Sequence, residues 1–205
     1  MSLRWAIMAP AYDRMSRSSE EAGLGDLRQS LLAEAAGNVL EVGAGTGVNL
    51  PYYGESVESL VLTDPEPPML RRLQRAAGEH LPNAQVLQAA AEELPFEDDS
   101  FDAVVSTLVL CGVDQPRALR EARRVLRPGG RLLFIEHVRS EDPKLARFQD
   151  RMNRLNRLVA GCECNRRTLA AIEAEQFEVA RVERTTTPKA PKFVSPLIVG
   201  SATKP

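Results

Sequence analysis

A glycine-rich segment that follows a short apolar run is the clearest chemical feature of this 205-residue sequence. Gly43, Gly45 and Gly47 stand at alternate positions, with Ala44 and Thr46 between them. Glycine lets the chain turn sharply and lets bare backbone come close to a ligand. A plain strand-to-helix turn is the alternative. Three glycines at alternate positions after a buried strand favour a binding loop.

The spacing of these glycines separates two classes of cofactor. The dinucleotide fingerprint is G-x-G-x-x-G/A, in which the third small residue allows close packing of helix on strand. Here that third position is Val48, and the third glycine comes one residue earlier, at Gly47. The G-x-G-x-G spacing therefore favours S-adenosylmethionine over NAD. An NAD-dependent oxidoreductase remains as the alternative from another enzyme class.

An acidic residue stands at a second position that a nucleoside cofactor would use. Asp64 ends the next apolar run, about twenty residues after the glycine loop, where a carboxylate accepts hydrogen bonds from ribose hydroxyls. Asp64 could instead cap the helix that begins near Pro65. Glu66 is the competing acid, but it lies beyond the end of the strand. We expect Asp64 to bind the ribose.

The elements that would position these residues follow an alternating order. Apolar runs rich in Val, Ile and Leu alternate with helical patterns, which is typical of a parallel sheet covered on both faces. The predicted strands are 39–42, 60–63, 85–88, 101–107, 131–137, 177–184 and 194–202. The predicted helices are 24–36, 67–79, 116–126, 143–159 and 168–176.

A series of motifs along the first two thirds of the chain resembles those of class I S-adenosylmethionine-dependent methyltransferases. They are residues 41–47, Asp64, 91–96, 99–102 and 123–132, which together cover about residues 38–138. The resemblance implies an α/β fold that is Rossmann-like and doubly wound, with a mostly parallel seven-stranded sheet whose last strand is antiparallel. We expect a single methyltransferase domain over residues 1–205.

The same resemblance implies which residues contact the cofactor. One position departs from the family pattern, because an aspartate that often holds the adenine amino group is replaced by Ala90. Glu92, backbone groups or water would then meet that amino group. The implied cofactor-binding residues are Glu41, Gly43, Ala44, Gly45, Thr46, Gly47, Asp64, Pro65, Met69, Ala91, Glu92, Thr107 and Leu108.

A finer resemblance concerns the acceptor side. Residues 106–113, 136–138, 161–168 and 198–202 are similar to segments of the methyltransferase-like alkyl-thiol methyltransferases. Bacterial proteins of the same shape are linked to phospholipid N-methylation and quinone C-methylation. The resemblance implies a small hydrophobic acceptor, with a thiol as the first candidate and a phospholipid or quinone-type acceptor as the alternative.

Several residues are candidates for the acceptor side. His137 would act as a base or positioning group, or serve as a structural histidine. Tyr12 resembles a tyrosine that closes over the methionine part of the cofactor. Cys111, Cys162, Cys164 and Thr168 would line the acceptor pocket, or pack the interior. The N-terminal segment and residues 139–167 would cover that pocket.

Composition excludes several other classes of function. The formal net charge of −2 disfavours a nucleic-acid partner. The lone C-x-C of Cys162 and Cys164 lacks a second ligand pair, so no metal site is expected. Three cysteines without a secretory signal indicate a cytoplasmic protein.

The sequence also bears on contact with membranes. No apolar run reaches the roughly 20 residues of a membrane helix, so no integral membrane segment is expected. A stripe of arginines at helical spacing, between Arg147 and Arg157, is either a solvated face or a peripheral contact with anionic lipid. The sequence predicts no oligomeric state.

Overall fold

A central sheet of seven strands organises the chain in a computed structural model that describes residues 17–205. Tyr12 lies outside these described residues. Every predicted run overlaps one strand, although the second and fifth strands begin three and five residues earlier than predicted. The strands are β1 Gly37–Val42, β2 Val57–Thr63, β3 Gln85–Leu87, β4 Phe101–Thr107, β5 Leu126–His137, β6 Glu178–Thr186 and β7 Pro196–Thr203.

The order of the strands is β3-β2-β1-β4-β5-β7-β6. The first five strands pair in parallel, and β7 runs antiparallel to both of its neighbours. The predicted fold, a mostly parallel seven-stranded sheet whose last strand is antiparallel, is confirmed. Because β1 lies between β2 and β4, the chain changes direction across the sheet at β1, which is where open α/β sheets bind ligands.

Helices cover both faces of the sheet. They are α1 Gly25–Leu32, α2 Pro67–His80, α3 Gln115–Val125, α4 Pro143–Ala160 and α5 Thr168–Ala174. A π-helical turn, Glu20–Leu24, precedes α1. The first helix ends four residues earlier than its pattern predicts (32 instead of 36), and Gly37 then turns the chain into β1 with a φ of +71°. Helix α3 ends at Val125 because Leu126 already pairs with Phe101 in the sheet.

Two apolar layers form the core, one on each face of the sheet. Leu132 and Phe134 of β5 pack with Leu119 of α3 and Ile172 of α5 on one face. The alternate residues, including Leu133, pack with the helices of the other face. Side chains alternate across a strand, so a strand that is covered on both faces is apolar at most positions. Burial on both faces explains the apolar runs of the sequence.

The carboxyl ends of three adjacent parallel strands define the edge where the site lies. Strands β1, β4 and β5 end at Val42, Thr107 and His137. The glycine loop, the turn after β4 and the segment after β5 are thereby neighbours. Among residues 17–205, no helix is long and apolar enough to cross a membrane.

Candidate functional site

The glycine loop adopts backbone angles that explain its composition. Gly43, Gly45 and Gly47 have φ values of +60°, +60° and +91°, in the region that side chains other than hydrogen disfavour. A Cβ atom at Gly43 would lie 2.6 Å from a Val109 methyl, and one at Gly47 would lie 2.6 Å from Leu50. A Cβ at Gly45 would meet only the Gly43 carbonyl oxygen, at 4.0 Å. The loop therefore packs tightly at its two ends and has open space at its centre.

Asp64 lies directly beside this open part of the loop. Its Oδ2 accepts a hydrogen bond from the Gly45 backbone N–H at 3.0 Å, and its Oδ1 accepts one from the Glu66 N–H at 2.8 Å. Burial raises the pKa of Asp64 to about 6, although both of these hydrogen bonds lower it. A buried acceptor group at the end of β2, next to the glycine loop, is the arrangement that a ribose diol requires.

Glu41 is held in a buried polar network under the loop. Its Oε1 accepts from Asn49 Nδ2 at 2.8 Å, and its Oε2 accepts from the Tyr53 hydroxyl at 2.6 Å. Burial raises the pKa of Glu41 above its usual value, and it also raises the pKa of Tyr53. Because both carboxylate oxygens are occupied, Glu41 positions its neighbours from within the protein.

Arg28 of α1 extends this network to the end of β4. Its Nη1 donates to Asn49 Oδ1 at 2.8 Å and to Thr107 Oγ1 at 3.0 Å, while its Nε pairs with Glu20 at 3.0 Å. The arginine is 4% exposed, so these contacts replace its hydration. One buried guanidinium thereby connects α1 with the loop after β1 and with the end of β4.

A second buried carboxylate, Glu136, organises the turn after β4. Its Oε1 accepts three hydrogen bonds at 2.8–3.1 Å, from the Ser106 hydroxyl and from the N–H groups of Val109 and Leu110. Its Oε2 is buried and has no hydrogen-bond partner among residues 17–205. Burial raises the pKa of Glu136 to about 7. The same turn holds Leu108 at a φ of +62°, so this carboxylate stabilises a strained backbone.

Two cysteines and a histidine come together at the same edge. Cys162 Sγ lies 3.6 Å from His137 Nδ1, and the Cys111 thiol contacts the Leu108 carbonyl oxygen at 3.7 Å. The ligand atoms of all three lie within 4.8 Å of one another. The neighbouring thiol of Cys111, followed by the contact with His137, lowers the pKa of Cys162. The other ring nitrogen of His137 is 3.2 Å from Thr187 Oγ1.

The remaining predicted site residues differ in their exposure to solvent. Pro65 is exposed, and Met69 and Ala91 are buried. Glu92 Oε1 accepts a hydrogen bond from the Asp114 N–H at 3.0 Å, which holds it against the start of α3. Cys164 and Thr168 are fully buried. Neither belongs to the cluster of Cys111, His137 and Cys162.

Sequence reasoning missed several residues of these networks, among them Arg28, Asn49, Glu136 and Thr187. A signal existed for Arg28, because it interrupts the apolar face formed by Leu24, Leu27 and Leu31. A charged residue at a core-facing position requires an internal partner. Glu136 stood in a motif similar to the alkyl-thiol methyltransferases, but the sequence did not indicate a role for it.

Comparisons with known proteins agree with this geometry. Residues 40–134 match a family described as a methyltransferase domain. Human thiol S-methyltransferase TMT1B is 33% identical over 205 residues, which cover 97% of this chain and 84% of the relative. The chain belongs to the class I S-adenosylmethionine-dependent methyltransferases.

Other relatives of this methyltransferase support the same assignment. Human thiol S-methyltransferase TMT1A is 36% identical over 82% of this chain and 70% of its own length. A solved S-adenosylmethionine-dependent methyltransferase from Thermotoga maritima has a TM-score of 0.74 at 22% identity and covers 100% of both chains. The predictions of family, fold and cofactor are confirmed, and the oxidoreductase alternative is set aside.

Proposed function

We propose that this methyltransferase transfers the methyl group of S-adenosylmethionine to the sulfur of a small apolar thiol. The supporting observation is the extent of its similarity to thiol S-methyltransferase TMT1B. That similarity spans 97% of the chain, whereas the methyltransferase domain accounts for residues 40–134. Methyltransferases that act on many different acceptors share a cofactor-binding domain such as residues 40–134. Similarity outside those residues is therefore informative about the acceptor.

The cofactor fits the residues at the carboxyl edge of the sheet. The space beside Gly45 would receive the ligand, and Asp64 would accept hydrogen bonds from the ribose hydroxyls. Glu92 is the candidate group for the adenine, through the carboxylate oxygen that Asp114 does not use. We assign Gly43, Ala44, Thr46, Gly47, Pro65, Met69, Ala91, Thr107 and Leu108 to the walls of this space, and Glu41 to the network that supports it.

The chemistry requires alignment more than catalytic groups. When bound, S-adenosylmethionine supplies an electrophilic methyl group on a sulfonium. The acceptor must present a sulfur lone pair in line with the bond that breaks, so the protein must hold both partners in register. A free thiol with a pKa near 8.5 is only partly ionised at neutral pH. A site that favours the thiolate would therefore accelerate transfer.

We place the acceptor sulfur beside Cys111, His137 and Cys162. Cys111 follows the end of β4 and His137 is the last residue of β5, and the methyl group would lie at these strand ends. His137 serves as a positioning residue, because Thr187 orients its ring. Cys164 and Thr168 would support this wall from the interior. Tyr12 remains a prediction for closure over the methionine moiety.

An acceptor screen tests the proposed function. Purified protein is incubated with S-adenosylmethionine and a panel of alkyl and aryl thiols, amines, phenols, a quinol and a phosphatidylethanolamine dispersion. The measurement is formation of S-adenosylhomocysteine, together with the mass of the methylated product. We expect turnover with the thiols, and none with the Gly45→Val variant as control. Turnover confined to the lipid or the quinol would assign the protein to the alternative acceptor class.

Peripheral contact with lipid remains a prediction for helix α4. Its exposed face carries Phe148, Leu155 and Leu158, with exposed fractions of 45%, 55% and 70%. Exposed arginines, including Arg154, flank this apolar surface. Such a combination is typical of helices that lie on anionic membranes. Sedimentation with anionic vesicles, compared between the native chain and Arg154→Glu, measures this contact, and equal sedimentation of the two would exclude it.

A further inference from the structure

The cluster of Cys111, His137 and Cys162 has the composition of a site for a soft or borderline metal ion. Thiolate sulfur and imidazole nitrogen are the ligands that Zn²⁺ prefers. The three residues come from distant parts of the chain: the turn after β4, the last position of β5 and the segment after α4. Their ligand atoms nevertheless lie within 4.8 Å of one another.

The distance between Cys162 Sγ and His137 Nδ1 agrees with zinc geometry. Tetrahedral zinc with a Zn–S bond of about 2.3 Å and a Zn–N bond of about 2.0–2.1 Å places sulfur and nitrogen about 3.6 Å apart. Cys162 Sγ and His137 Nδ1 are 3.6 Å apart. A metal ion could thus bind with little change in the positions of these two side chains.

Surrounding residues hold the cluster in place. Thr187 contacts Nε2 of His137 and leaves Nδ1 directed at Cys162, which is the outer contact that metal-binding histidines require. The Cys162 carbonyl accepts from Asn156 Nδ2 at 2.7 Å, and the Cys111 carbonyl accepts from the Glu163 N–H at 2.8 Å. Both cysteines are therefore fixed by their backbones.

The charges around the cluster also suit a divalent cation. Two thiolates and a neutral imidazole would balance the charge of Zn²⁺, which matters because Cys111 is 2% exposed. The nearby cation Arg166 is paired with Glu163 at 2.8 Å. Glu163 also pairs with Arg157 at 3.2 Å, so it partly offsets the positive charge of both arginines.

The cluster adjoins the cofactor loop. Val109, two residues before Cys111, packs against Gly43 so closely that a Cβ atom there would be 2.6 Å away. His137 directly follows Glu136, whose carboxylate holds the turn that carries Val109. A ligand bound at the cluster would lie on the side of the loop where the methyl acceptor must approach.

We propose that Cys111, His137 and Cys162 bind one Zn²⁺ ion whose fourth coordination position takes the sulfur of the acceptor. Three protein ligands with one open position are the pattern of catalytic zinc sites. This inference rests on the proposed function for the identity of the fourth ligand. The metal site itself stands on the geometry of the three side chains.

The reaction at this site balances without a further reactant. The acceptor thiol binds the metal as a thiolate and releases its proton to solvent, because a metal ion stabilises the deprotonated ligand. A sulfur lone pair then forms the new bond to the methyl carbon as the bond from that carbon to the sulfonium breaks. The product is a neutral thioether, which binds zinc weakly and leaves with S-adenosylhomocysteine.

Cobalt substitution tests the metal site independently of activity. The full chain is purified under reducing conditions, stripped of metal and titrated with Co²⁺, whose thiolate complexes absorb strongly in the near ultraviolet. We expect one equivalent to bind with tetrahedral d–d bands, and Zn²⁺ to displace it. Cys162→Ser and His137→Gln should lose these bands, whereas Cys164→Ala, which alters the thiol outside the cluster, should retain them.

Folding of each variant is checked by circular dichroism and by binding of S-adenosylmethionine. A native chain that binds no stoichiometric Co²⁺ or Zn²⁺ would overturn the inference. So would a folded Cys162→Ser variant that retains the spectrum. Loss of the bands in folded Cys164→Ala would also overturn it, because the metal would then use other ligands.

The role of the fourth position is tested by adding an alkyl thiol to the cobalt protein. We expect the charge-transfer band to shift with the thiol and not with its methyl thioether. Removal of metal should lower kcat/KM for the thiol at least tenfold, and Zn²⁺ should restore it. Undiminished thiol methylation by metal-free protein would refute the inference and leave the proposed function intact. Metal binding without methylation of any thiol would refute the proposed function and the role of the fourth position.

Discussion

The affinity of the protein for S-adenosylmethionine should fall as the pH is lowered through 6. Asp64 is the proposed ribose ligand, and burial raises its pKa to about 6. The ionised carboxylate accepts hydrogen bonds at both oxygens, whereas the protonated form gives up one acceptor to a proton. The raised pKa means that this loss occurs at a mildly acidic pH, well above the usual range of an aspartate.

The size of the effect follows from the fraction of Asp64 that is ionised. With a pKa of about 6, about nine tenths of the groups are ionised at pH 7 and about one tenth at pH 5. If only the ionised form binds the ribose, the dissociation constant should rise about tenfold, which corresponds to about 1.4 kcal/mol. The α-amino group of the cofactor, with a pKa near 8, stays mainly protonated over this interval.

Isothermal titration calorimetry at pH 7.0, 6.0 and 5.0 measures this dependence. Asp64→Asn is the matched control, because it keeps the shape and one acceptor oxygen but has no charge to titrate. We expect the variant to bind weakly at every pH, with a flatter pH profile than the native chain. An affinity of the native chain that is constant from pH 7 to pH 5, or a profile that Asp64→Asn shares, would refute the role of Asp64.

Further substitutions test the other parts of the site. Asp64→Ala should weaken cofactor binding by about 1.5–3 kcal/mol, the range for charge-assisted hydrogen bonds, measured by calorimetry at pH 7. Gly45→Val should abolish binding, because its side chain would occupy the open space beside the loop; the chain should still fold, with some loss of stability from the φ of +60°. Normal affinity would show that the loop is only a turn. Glu136→Ala leaves three buried donors without an acceptor and should lower the free energy of unfolding by about 3 kcal/mol or more in urea denaturation. Arg28→Ala should cost about 3–5 kcal/mol by uncoupling Glu20 from Asn49 and Thr107, and a loss under 1 kcal/mol would contradict a supporting role for the network.

The sequence by itself determined the sheet and the cofactor loop. Strands buried on both faces are apolar at most positions, so β1, β4 and β5 stand out as runs rich in Val, Leu and Ile. The alternate glycines are local in origin, since each adopts a positive φ that other residues disfavour. The position of Asp64 beside the glycine loop was predictable because it follows the end of a parallel strand next to β1.

Only the tertiary structure decided which polar side chains meet. Arg28 contacts Thr107 across 79 residues of sequence, and the position of Glu136 in β5 gave no sign that three groups of the β4 turn would converge on it. Cys162 and Cys164 looked like an isolated C-x-C, which predicted no metal site. In the structure, Cys162 faces Cys111 and His137 instead, and Cys164 is buried elsewhere.

The physical reason lies in the path of the chain. Strands β4 and β5 run in parallel, so their ends meet at one edge although α3 separates them in sequence. Helix α4 then carries the chain away, and Gly161, with a φ of +74°, turns it back so that Cys162 returns to that edge. Local sequence patterns predict each strand or helix from its hydrophobic periodicity and each turn from the residues that its backbone angles require. The packing of helices on the sheet determines which distant side chains come into contact.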